Sequence, residues 1–331
     1  MKRLLLLHTG GTLGMDATTG GALRPGGALE GVFRYIPEAL ELADIETRVL
    51  FNEDSANMQI AHWRAVAEAI TGALDAYDGF VVIHGTDTMA YTAAALSFAL
   101  ENLPKPVILT GAQRPIGAIR TDAKTNLVNA LSLATHDVPE VGIFFNHRLF
   151  RGNRAKKVSI DDFDAFSSPN YPPLAEVGLH LVLHDERVRR PAGLFHPNPT
   201  FSDKVLVLRL FPGMRPEHLA PLLDGEALGF VIEAYGAGNV PVVERSLLPF
   251  IAEATKRGKL VALCSQALAG NVDLTLYESG QRAMEAGALA CADMTVEAAV
   301  VKLMYLLGRF NEDTRQVTRN FSVPLAGELT V

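Results

Sequence analysis

The chain has 331 residues, a formal net charge of −7, 48% hydrophobic residues and 20% charged residues. This composition is typical of a folded globular protein and excludes a disordered one. The negative charge argues against a nucleic-acid-binding protein, which needs a basic surface to neutralise phosphates. Because no apolar stretch approaches the roughly 20 residues of a membrane-spanning helix, we expect no membrane partner.

In the N-terminal part of the chain, short apolar runs alternate with helical patterns, which predicts an α/β fold with a mostly parallel sheet covered by helices on both faces. The predicted strands are Arg3–His8, Thr47–Phe51, Gly79–His84, Pro106–Thr110 and Val141–Asn146. The predicted helices lie near Ala61–Leu74, Met89–Leu103 and Asp122–Thr135.

A break in this alternation predicts a second domain. Residues 186–203 contain three prolines and no clear period, so we interpret them as a linker between an N-terminal domain, residues 1–185, and a smaller C-terminal α/β domain, residues 204–331. The predicted C-terminal strands are Lys204–Phe211, Gly229–Ala234 and Lys259–Ser265. The predicted C-terminal helices are Val243–Lys256, Ser279–Ala286 and Thr295–Phe310.

The cysteines and histidines indicate neither disulfides nor a metal. Cys264 and Cys291 lie in apolar contexts, which predicts buried free thiols and fits a reducing cytoplasm. His180 and His184 are four residues apart, but their stretch alternates like a strand and contains no helical HExxH pair, so we expect no metal site. The short apolar run near Met1 leads into a glycine turn and predicts a first strand rather than a signal peptide.

Ligands of parallel sheets bind beyond the carboxyl ends of the strands, so the turns that follow the strands are the candidate sites. The first turn, His8-Thr9-Gly10-Gly11-Thr12, has glycines that free backbone N–H groups to bind a developing negative charge. A phosphate- or dinucleotide-binding turn and a plain tight loop remain alternatives. The glycine spacing does not fit GxGxxG, and the turn has no P-loop lysine.

Three further turns carry polar groups. The pattern of Asn52–Met58 predicts a loop with a helix cap, and that of Thr110–Pro115 predicts a turn at the end of a strand. Thr86-Asp87-Thr88 offers three polar side chains where one would cap the next helix. A threonine needs a group that removes its proton before it becomes a nucleophile. Lys157 is a candidate for that group, although a surface lysine is the commoner reading of such a residue.

Taken together, these segments resemble the bacterial type I, cytoplasmic L-asparaginase family. The resemblance runs in order over essentially the whole chain. It is carried by HTGGTLGM, DSANM, DGFVVIHGTDTMAYTAAALSFALENLPKPVILTGAQRP, FFNHRLFRGNRAKK, DAFSSPNYPPL, YGAGNVP, ADMTVEAAVVKLMYLL and GELT. The resemblance implies a larger flavodoxin-like N-terminal domain and a smaller Rossmann-like C-terminal domain. It also implies a homodimer, often paired into a tetramer, and no cofactor.

The same resemblance implies roles for individual residues. The implied catalytic set is Thr12 as nucleophile, with Thr86, Asp87 and Lys157. The implied substrate-binding set is Asp54, Ser55, Ala56, Thr86, Asp87 and Ala112. A glycine-rich lid over residues 18–27 is expected to exclude bulk water, and Asn239 is expected to reach the site from the partner subunit.

Three departures from the family pattern qualify this transfer. No tyrosine occurs between Thr12 and Tyr35, so we expect a phenol from elsewhere to assist Thr12, and Tyr277 of the partner subunit is our candidate. Ala56-Asn57 replaces a polar-acidic pair, which predicts the loss of one substrate hydrogen bond. Glu233 occupies the position where regulated relatives carry an arginine, so allosteric activation by asparagine is not expected.

The resemblance predicts hydrolysis of asparagine to aspartate and ammonia. A glutaminase-asparaginase of mixed specificity remains an alternative. A subunit of a tRNA-dependent amidotransferase is disfavoured because its extra N-terminal segment is not seen in this sequence. A non-catalytic amino-acid sensor that reuses the fold is the alternative outside the enzymes.

Overall fold

The computed structural model describes residues 1–17, 23–25 and 31–330. The chain forms two compact units, Met1–Pro199 and Thr200–Val331, and both are α/β units with parallel-rich sheets. The predicted two-domain α/β class is therefore confirmed. The division between the units falls inside the segment 186–203 that the sequence indicates as a linker.

The first unit contains short and long strands together with helices. Its strands are β1 (Arg3–Gly10), β2 (Met15–Ala17), β3 (Leu23–Pro25), β4 (Asp44–Glu53), β5 (Gly79–Ile83), β6 (Leu100–Glu101), β7 (Val107–Thr110), β8 (Val141–Phe145), β9 (Arg148–Arg151), β10 (Lys156–Lys157), β11 (Phe166–Ser167), β12 (Ala175–Val177), β13 (Leu181–Leu183) and β14 (His196–Pro197). Its helices are α1 (Val32–Tyr35), α2 (Ala39–Leu42), α3 (Ile60–Ala73), α4 (Met89–Ala99) and α5 (Ala123–Leu133).

The main sheet of the first unit runs, among the described strands, in the order β13-β12-β9-β8-β7-β5-β1-β4. The strands from β8 to β4 are parallel, as the alternation of strands and helices predicts. The remaining strands extend the sheet in antiparallel fashion. This extension was not predicted, and it arises because Asn146, at φ 58°, lies in a connection between β8 and β9 too short for a parallel crossover.

Burial explains why these segments form strands. Every residue of β5 and β8 is buried, as expected for parallel strands with helices on both faces. The adjoining core contains leucines and alanines from β1, α2 and α5. Because β1, β4, β5 and β7 pair in parallel, their carboxyl ends meet at one edge of the sheet.

One predicted helix is longer than the observed one. The pattern predicts Met89–Leu103, whereas α4 ends at Ala99. Leu100 instead pairs with Pro197 in an antiparallel bridge between β6 and β14. A partner almost one hundred residues away in the chain is not visible in the local pattern of the helix.

The second unit contains a parallel sheet in the order β15-β16-β17-β18. Its strands are β15 (Val205–Arg209), β16 (Gly229–Ala234), β17 (Leu260–Ser265) and β18 (Ala288–Ala290). Its helices are α6 (Leu248–Lys256), α7 (Glu278–Glu285), α8 (Val296–Arg309) and α9 (Thr314–Phe321). The helix predicted from Val243 begins later because Arg245 has a left-handed φ of 51°, which an α-helix does not accommodate.

A buried ion pair anchors the segment that follows α9. Lys302 Nζ lies 2.5 Å from Glu328 Oε1, and both side chains are fully buried. Glu328 also accepts hydrogen bonds from the backbone N–H groups of Leu325 and Ala326. Lys302 Nζ donates a second hydrogen bond, 2.8 Å long, to Val323 O.

The structure also bears on the two cysteines and on membrane-spanning helices. Cys264 and Cys291 are free and buried, as predicted. Within residues 1–17, 23–25 and 31–330, no helix is both long and apolar enough to cross a membrane.

Candidate functional site

Four strand-end turns converge so closely that side chains are excluded from three glycine positions. A Cβ on Gly11, where φ is +94°, would lie 2.5 Å from Gly85 N. A Cβ on Gly85 would lie 2.6 Å from Ser55 Oγ, and one on Gly111 would lie 2.3 Å from His84 O. The turns after β1, β4, β5 and β7 are therefore in direct contact, three of them through glycine.

Lys157 joins two of the residues that the sequence places in the catalytic set. Its Nζ donates to Thr86 Oγ1 at 2.7 Å and to Asp87 Oδ1 at 2.6 Å. Lys157 lies in β10, which pairs with β11 in a short antiparallel ladder. Its side chain is 16% exposed, whereas that of Asp87 is 61% exposed. The ammonium group is thus held in place while part of the carboxylate remains open to a ligand.

Thr12 begins a one-turn 3₁₀ helix, Thr12–Gly14, directly after β1. The preceding Gly10 and Gly11 both have positive φ, so the chain reverses in a way that residues with side chains rarely adopt. The turn is tied to the loop after β7 because Ile116 N donates to Leu13 O at 3.2 Å. Thr12 itself is half-buried at the edge where the four turns meet, and its role as nucleophile stays a prediction.

The loop after β4 presents Ser55 to the turn after β5. Ser55 is buried, and its backbone oxygen accepts a 2.8 Å hydrogen bond from Thr88 Oγ1. Asp54 Oδ1 accepts from Ala56 N at 2.9 Å, which caps the 3₁₀ turn Ser55–Asn57. Ala56 is exposed. One oxygen of Asp54 is therefore used to shape the loop.

The turn after β7 brings Ala112 and a residue that we had not singled out, Gln113. Ala112 is buried. Gln113 Nε2 lies 3.1 Å from Ile160 O and 3.2 Å from Asp162 O, which fixes the amide nitrogen on that side. Gln113 Oε1 then faces Thr86 Oγ1 at 3.4 Å, so this side chain links the turn after β5 to the loop beyond Lys157.

A buried carboxyl group supports the same turn. Asp122 accepts hydrogen bonds from the backbone N–H groups of Gln113 and Arg114 and from Asn126 Nδ2 at 3.2 Å. Burial raises the pKa of Asp122, although these hydrogen bonds act in the opposite direction. Neither Gln113 nor Asp122 could be identified from the sequence, because their partners are distributed over several loops.

The remaining predicted residues are in the second unit or outside the described ranges. Asn239 Oδ1 accepts a 2.8 Å hydrogen bond from Ser279 Oγ, and Tyr277 is 53% exposed. Glu233 lies 3.3 Å from Arg209 Nη1. The predicted contributions of these residues stay predictions. Of the predicted lid, residues 18–22 and 26–27 are outside the described residues, and Leu23–Pro25 pairs with Met15–Ala17.

The arrangement provides a threonine hydroxyl, a lysine–carboxylate pair and several backbone N–H groups at one sheet edge. Such a set can activate a hydroxyl nucleophile and stabilise an oxyanion. In the part of the chain that the structure describes, no three His, Cys, Asp or Glu side chains cluster so as to hold a metal ion.

Two family models match this chain. The model described as "Asparaginase, N-terminal" matches residues 3–189, and the model described as "Glutaminase/Asparaginase C-terminal domain" matches residues 204–321.

Individual proteins match over their full length. L-asparaginase 1 of Escherichia coli strain K12 is 40% identical over 99% of this chain and 98% of that protein. The structure of the thermostable L-asparaginase from Thermococcus kodakarensis has a TM-score of 0.92 at 38% identity and covers 99% of both chains. The structure of L-asparaginase I from Vibrio cholerae has a TM-score of 0.91 at 38% identity and covers 100% of this chain and 99% of that one.

Proposed function

Because this chain belongs to the asparaginase family, we propose that it hydrolyses the side-chain amide of L-asparagine to aspartate and ammonia. The observation that carries the proposal is the position of Lys157 Nζ, within hydrogen-bonding distance of both Thr86 Oγ1 and Asp87 Oδ1. An unengaged surface lysine would not be held 16% exposed between a hydroxyl and a carboxylate.

In the proposed reaction, Thr12 Oγ attacks the amide carbon and loses its proton as the C–O bond forms. The tetrahedral intermediate then collapses, the C–N bond breaks, and the nitrogen leaves as ammonia after it has gained a proton. The product of this half-reaction is an ester of Thr12. Water attacks the ester carbon in the second half-reaction, which releases aspartate and restores the hydroxyl.

Lys157, Thr86 and Asp87 supply proton transfer for both half-reactions. Lys157 donates to both partners in the resting state, and Asp87 holds it by opposite charge. Thr86 Oγ1 accepts a hydrogen bond from Lys157 Nζ, and in the proposed reaction its hydroxyl passes a proton between the lysine and Thr12. Positioned acid–base groups of this kind typically contribute about 10²–10⁴ in rate.

Backbone N–H groups near Gly11–Thr12 and Gly85–Thr86 are the proposed oxyanion donors. The two turns touch at Gly11 and Gly85, so donors from both can converge on one oxygen atom. Losing one such donor typically costs about 10²–10³ in rate.

The same edge would hold the amino-acid part of the substrate. The open oxygen of Asp87 suits the α-ammonium group, and the loop containing Asp54, Ser55 and Ala56 suits the α-carboxylate. The backbone oxygen of Ala112 would face the leaving amide. Clamping both charged groups of asparagine makes the attack of Thr12 effectively unimolecular.

The proposal also covers how the whole protein is organised. We propose a catalytic domain over residues 1–185, a linker over 186–203, a cytoplasmic location, no cofactor, and a homodimer or a dimer of dimers. In that assembly Asn239 and Tyr277 would complete the partner's site. Sedimentation of the purified chain and a mixed-subunit assay with Tyr277→Phe would test these points.

Ammonia release from asparagine, glutamine and buffer alone tests the function. We expect release with asparagine, loss of turnover in a folded Thr12→Ala variant, and a loss of about 10²–10⁴ in kcat in Lys157→Met. Lys156→Met is the matched control, because it removes the same charge one residue earlier in β10 and should remain active. Normal turnover by folded Thr12→Ala would refute the assignment of the nucleophile.

The glutamine arm decides the alternative of mixed specificity. Comparable kcat/KM values for the two amides would identify a glutaminase-asparaginase. Binding of asparagine without any ammonia release would identify the sensor instead.

A further inference from the structure

His84 is a fully buried histidine that the proposed mechanism does not use. It directly follows β5 and is 0% exposed. Its Nδ1 lies 2.7 Å from Gly85 O, and its Nε2 lies 2.9 Å from Thr92 Oγ1. Thr92, one turn into α4, is also buried and accepts a 3.1 Å hydrogen bond from Trp63 Nε1 in α3.

The hydrogen-bond donors and acceptors around His84 determine its tautomer. An indole N–H can only donate, so Thr92 Oγ1 accepts from Trp63 and keeps its own proton to donate to His84 Nε2. Nδ1 must then carry the ring proton, because a carbonyl oxygen such as Gly85 O can only accept. Burial lowers the pKa of His84 to about 4, so the ring is neutral at physiological pH.

A hydrogen bond to Gly85 O also determines where the next N–H points. Gly85 O and the Thr86 N–H belong to the same peptide group, which is planar and trans, since the structure holds no cis peptide bond among its described residues. In such a group the C=O and N–H point in opposite directions. With Gly85 O held by the buried ring of His84, the Thr86 N–H is directed away from that ring.

Gly85 makes this constraint necessary. A residue with a side chain would have a restricted backbone, but Ser55 Oγ occupies the space where a Cβ on Gly85 would lie. Glycine explores far more backbone conformations than other residues, so steric exclusion alone does not fix the peptide that follows it. The hydrogen bond from His84 supplies the missing restraint.

We propose that Trp63, Thr92 and His84 form a buried hydrogen-bonded chain that positions the Thr86 N–H as an oxyanion donor. The proposal rests on the proposed amide hydrolysis, and it makes these three residues positioning residues, since none of them would touch the substrate. Preorganised donors stabilise charge in the transition state without reorganising during the reaction. This series of hydrogen bonds should therefore affect kcat rather than the binding of asparagine.

The test compares Thr92→Val with Thr92→Ser. Valine has nearly the shape of threonine but cannot accept from Trp63 or donate to His84, whereas serine can do both. We expect Thr92→Val to lower kcat about tenfold with KM within twofold, and Thr92→Ser to restore at least half of the activity. Ser97→Ala is the matched control, because it removes a hydroxyl from the same helix, where Ser97 Oγ donates to Ala93 O.

Inhibitor binding separates positioning from general loss of structure. Aspartate β-semialdehyde can accept Thr12 Oγ at its aldehyde carbon, and the aldehyde oxygen then takes the place of the oxyanion. We expect its inhibition constant to rise in Thr92→Val by the same factor as kcat falls, while the dissociation constant of L-aspartate stays unchanged. Equal weakening of both ligands, or none of either, would overturn the proposal.

The tautomer of His84 can also be measured without any assay of activity. Nitrogen-15 NMR of the wild-type imidazoles at roughly pH 6 to 8 should show His84 as the neutral Nδ1–H tautomer. This range lies well above the His84 pKa of about 4. The Nε2–H tautomer would overturn the proposal even if Thr92→Val did not fold. A wild-type protein that releases no ammonia from asparagine would instead refute the proposed function. An active wild type with an equally active Thr92→Val variant would refute the positioning role alone.

Discussion

The buried pair of Lys302 and Glu328 gives a quantitative prediction about stability. Lys302→Met removes the only partner of opposite charge that the structure assigns to Glu328 among its described residues. A carboxylate left uncompensated in a protein interior typically costs 3–5 kcal/mol, on the order given by single-partner deletions. Glu328 would keep the N–H donors of Leu325 and Ala326, so we expect about 3 kcal/mol, near the lower limit.

The double variant Lys302→Met with Glu328→Gln should recover much of this loss. A neutral glutamine can still accept from the two backbone N–H groups, and methionine fills the space of the lysine stem. Replacing a whole buried ion pair is often close to neutral. We therefore expect the two single changes to be non-additive, with a coupling free energy of about 2 kcal/mol.

Urea unfolding followed by far-ultraviolet circular dichroism gives the free energies, and hydrogen exchange at Leu325 and Ala326 reports on the local segment. Lys204→Met is the control, because the pair of Lys204 with Glu312 is 36% and 37% exposed and should matter far less. Additive single variants, or a Lys302→Met protein as stable as Lys204→Met, would refute the reasoning.

Three further predictions concern the first unit. Gly11→Ala should abolish ammonia release or folding, because the new Cβ would lie 2.5 Å from Gly85 N at a position with positive φ. Gly72→Ala is its control. The new Cβ would lie in open space within α3, and the change should raise the free energy of unfolding by about 0.5–1 kcal/mol. The pKa of His84 is lowered from 6.5 to about 4 by burial, so unfolding takes up a proton between these values. The free energy of unfolding should consequently fall by on the order of 3 kcal/mol as the pH drops through that window, and urea titrations at several pH values should show a shallower slope for His84→Gln. Thr88→Val removes the hydrogen bond to Ser55 O and should raise KM for asparagine severalfold with a smaller effect on kcat; an unchanged KM would contradict a role for that loop in binding.

The sequence predicted the strands and turns that build the site because their signals are local. The apolar run Phe80–Ile83 is followed by His84 and Gly85, and the buried strand and its turn are both found there. Parallel strands bring their carboxyl ends together, so the polar turns after β1, β4, β5 and β7 could be expected to meet. Lys157 was a candidate by its residue type, but only the resemblance selected it, since nothing in the neighbouring residues distinguishes it from Lys156.

Long-range contacts account for what the sequence did not reveal. The end of α4 depends on the pairing of Leu100 with Pro197. Gln113 acts through carbonyl groups 47 and 49 residues away. His84 was visible in its motif, but its tautomer follows from its contacts with Gly85 O and with Thr92 on α4. In each case the information lies in which groups become neighbours.

The contact between Gly11 and Gly85 joins two turns through main-chain atoms alone, and this has a consequence for how the enzyme can diversify. Every amino acid except proline carries a backbone N–H group, so a substitution by any other residue leaves a backbone donor in place. Ala56 and Asn57, by contrast, are exposed side chains on the loop that would meet the substrate. Libraries randomised at these two positions can therefore search for new amide preferences while the groups that stabilise charge stay in place.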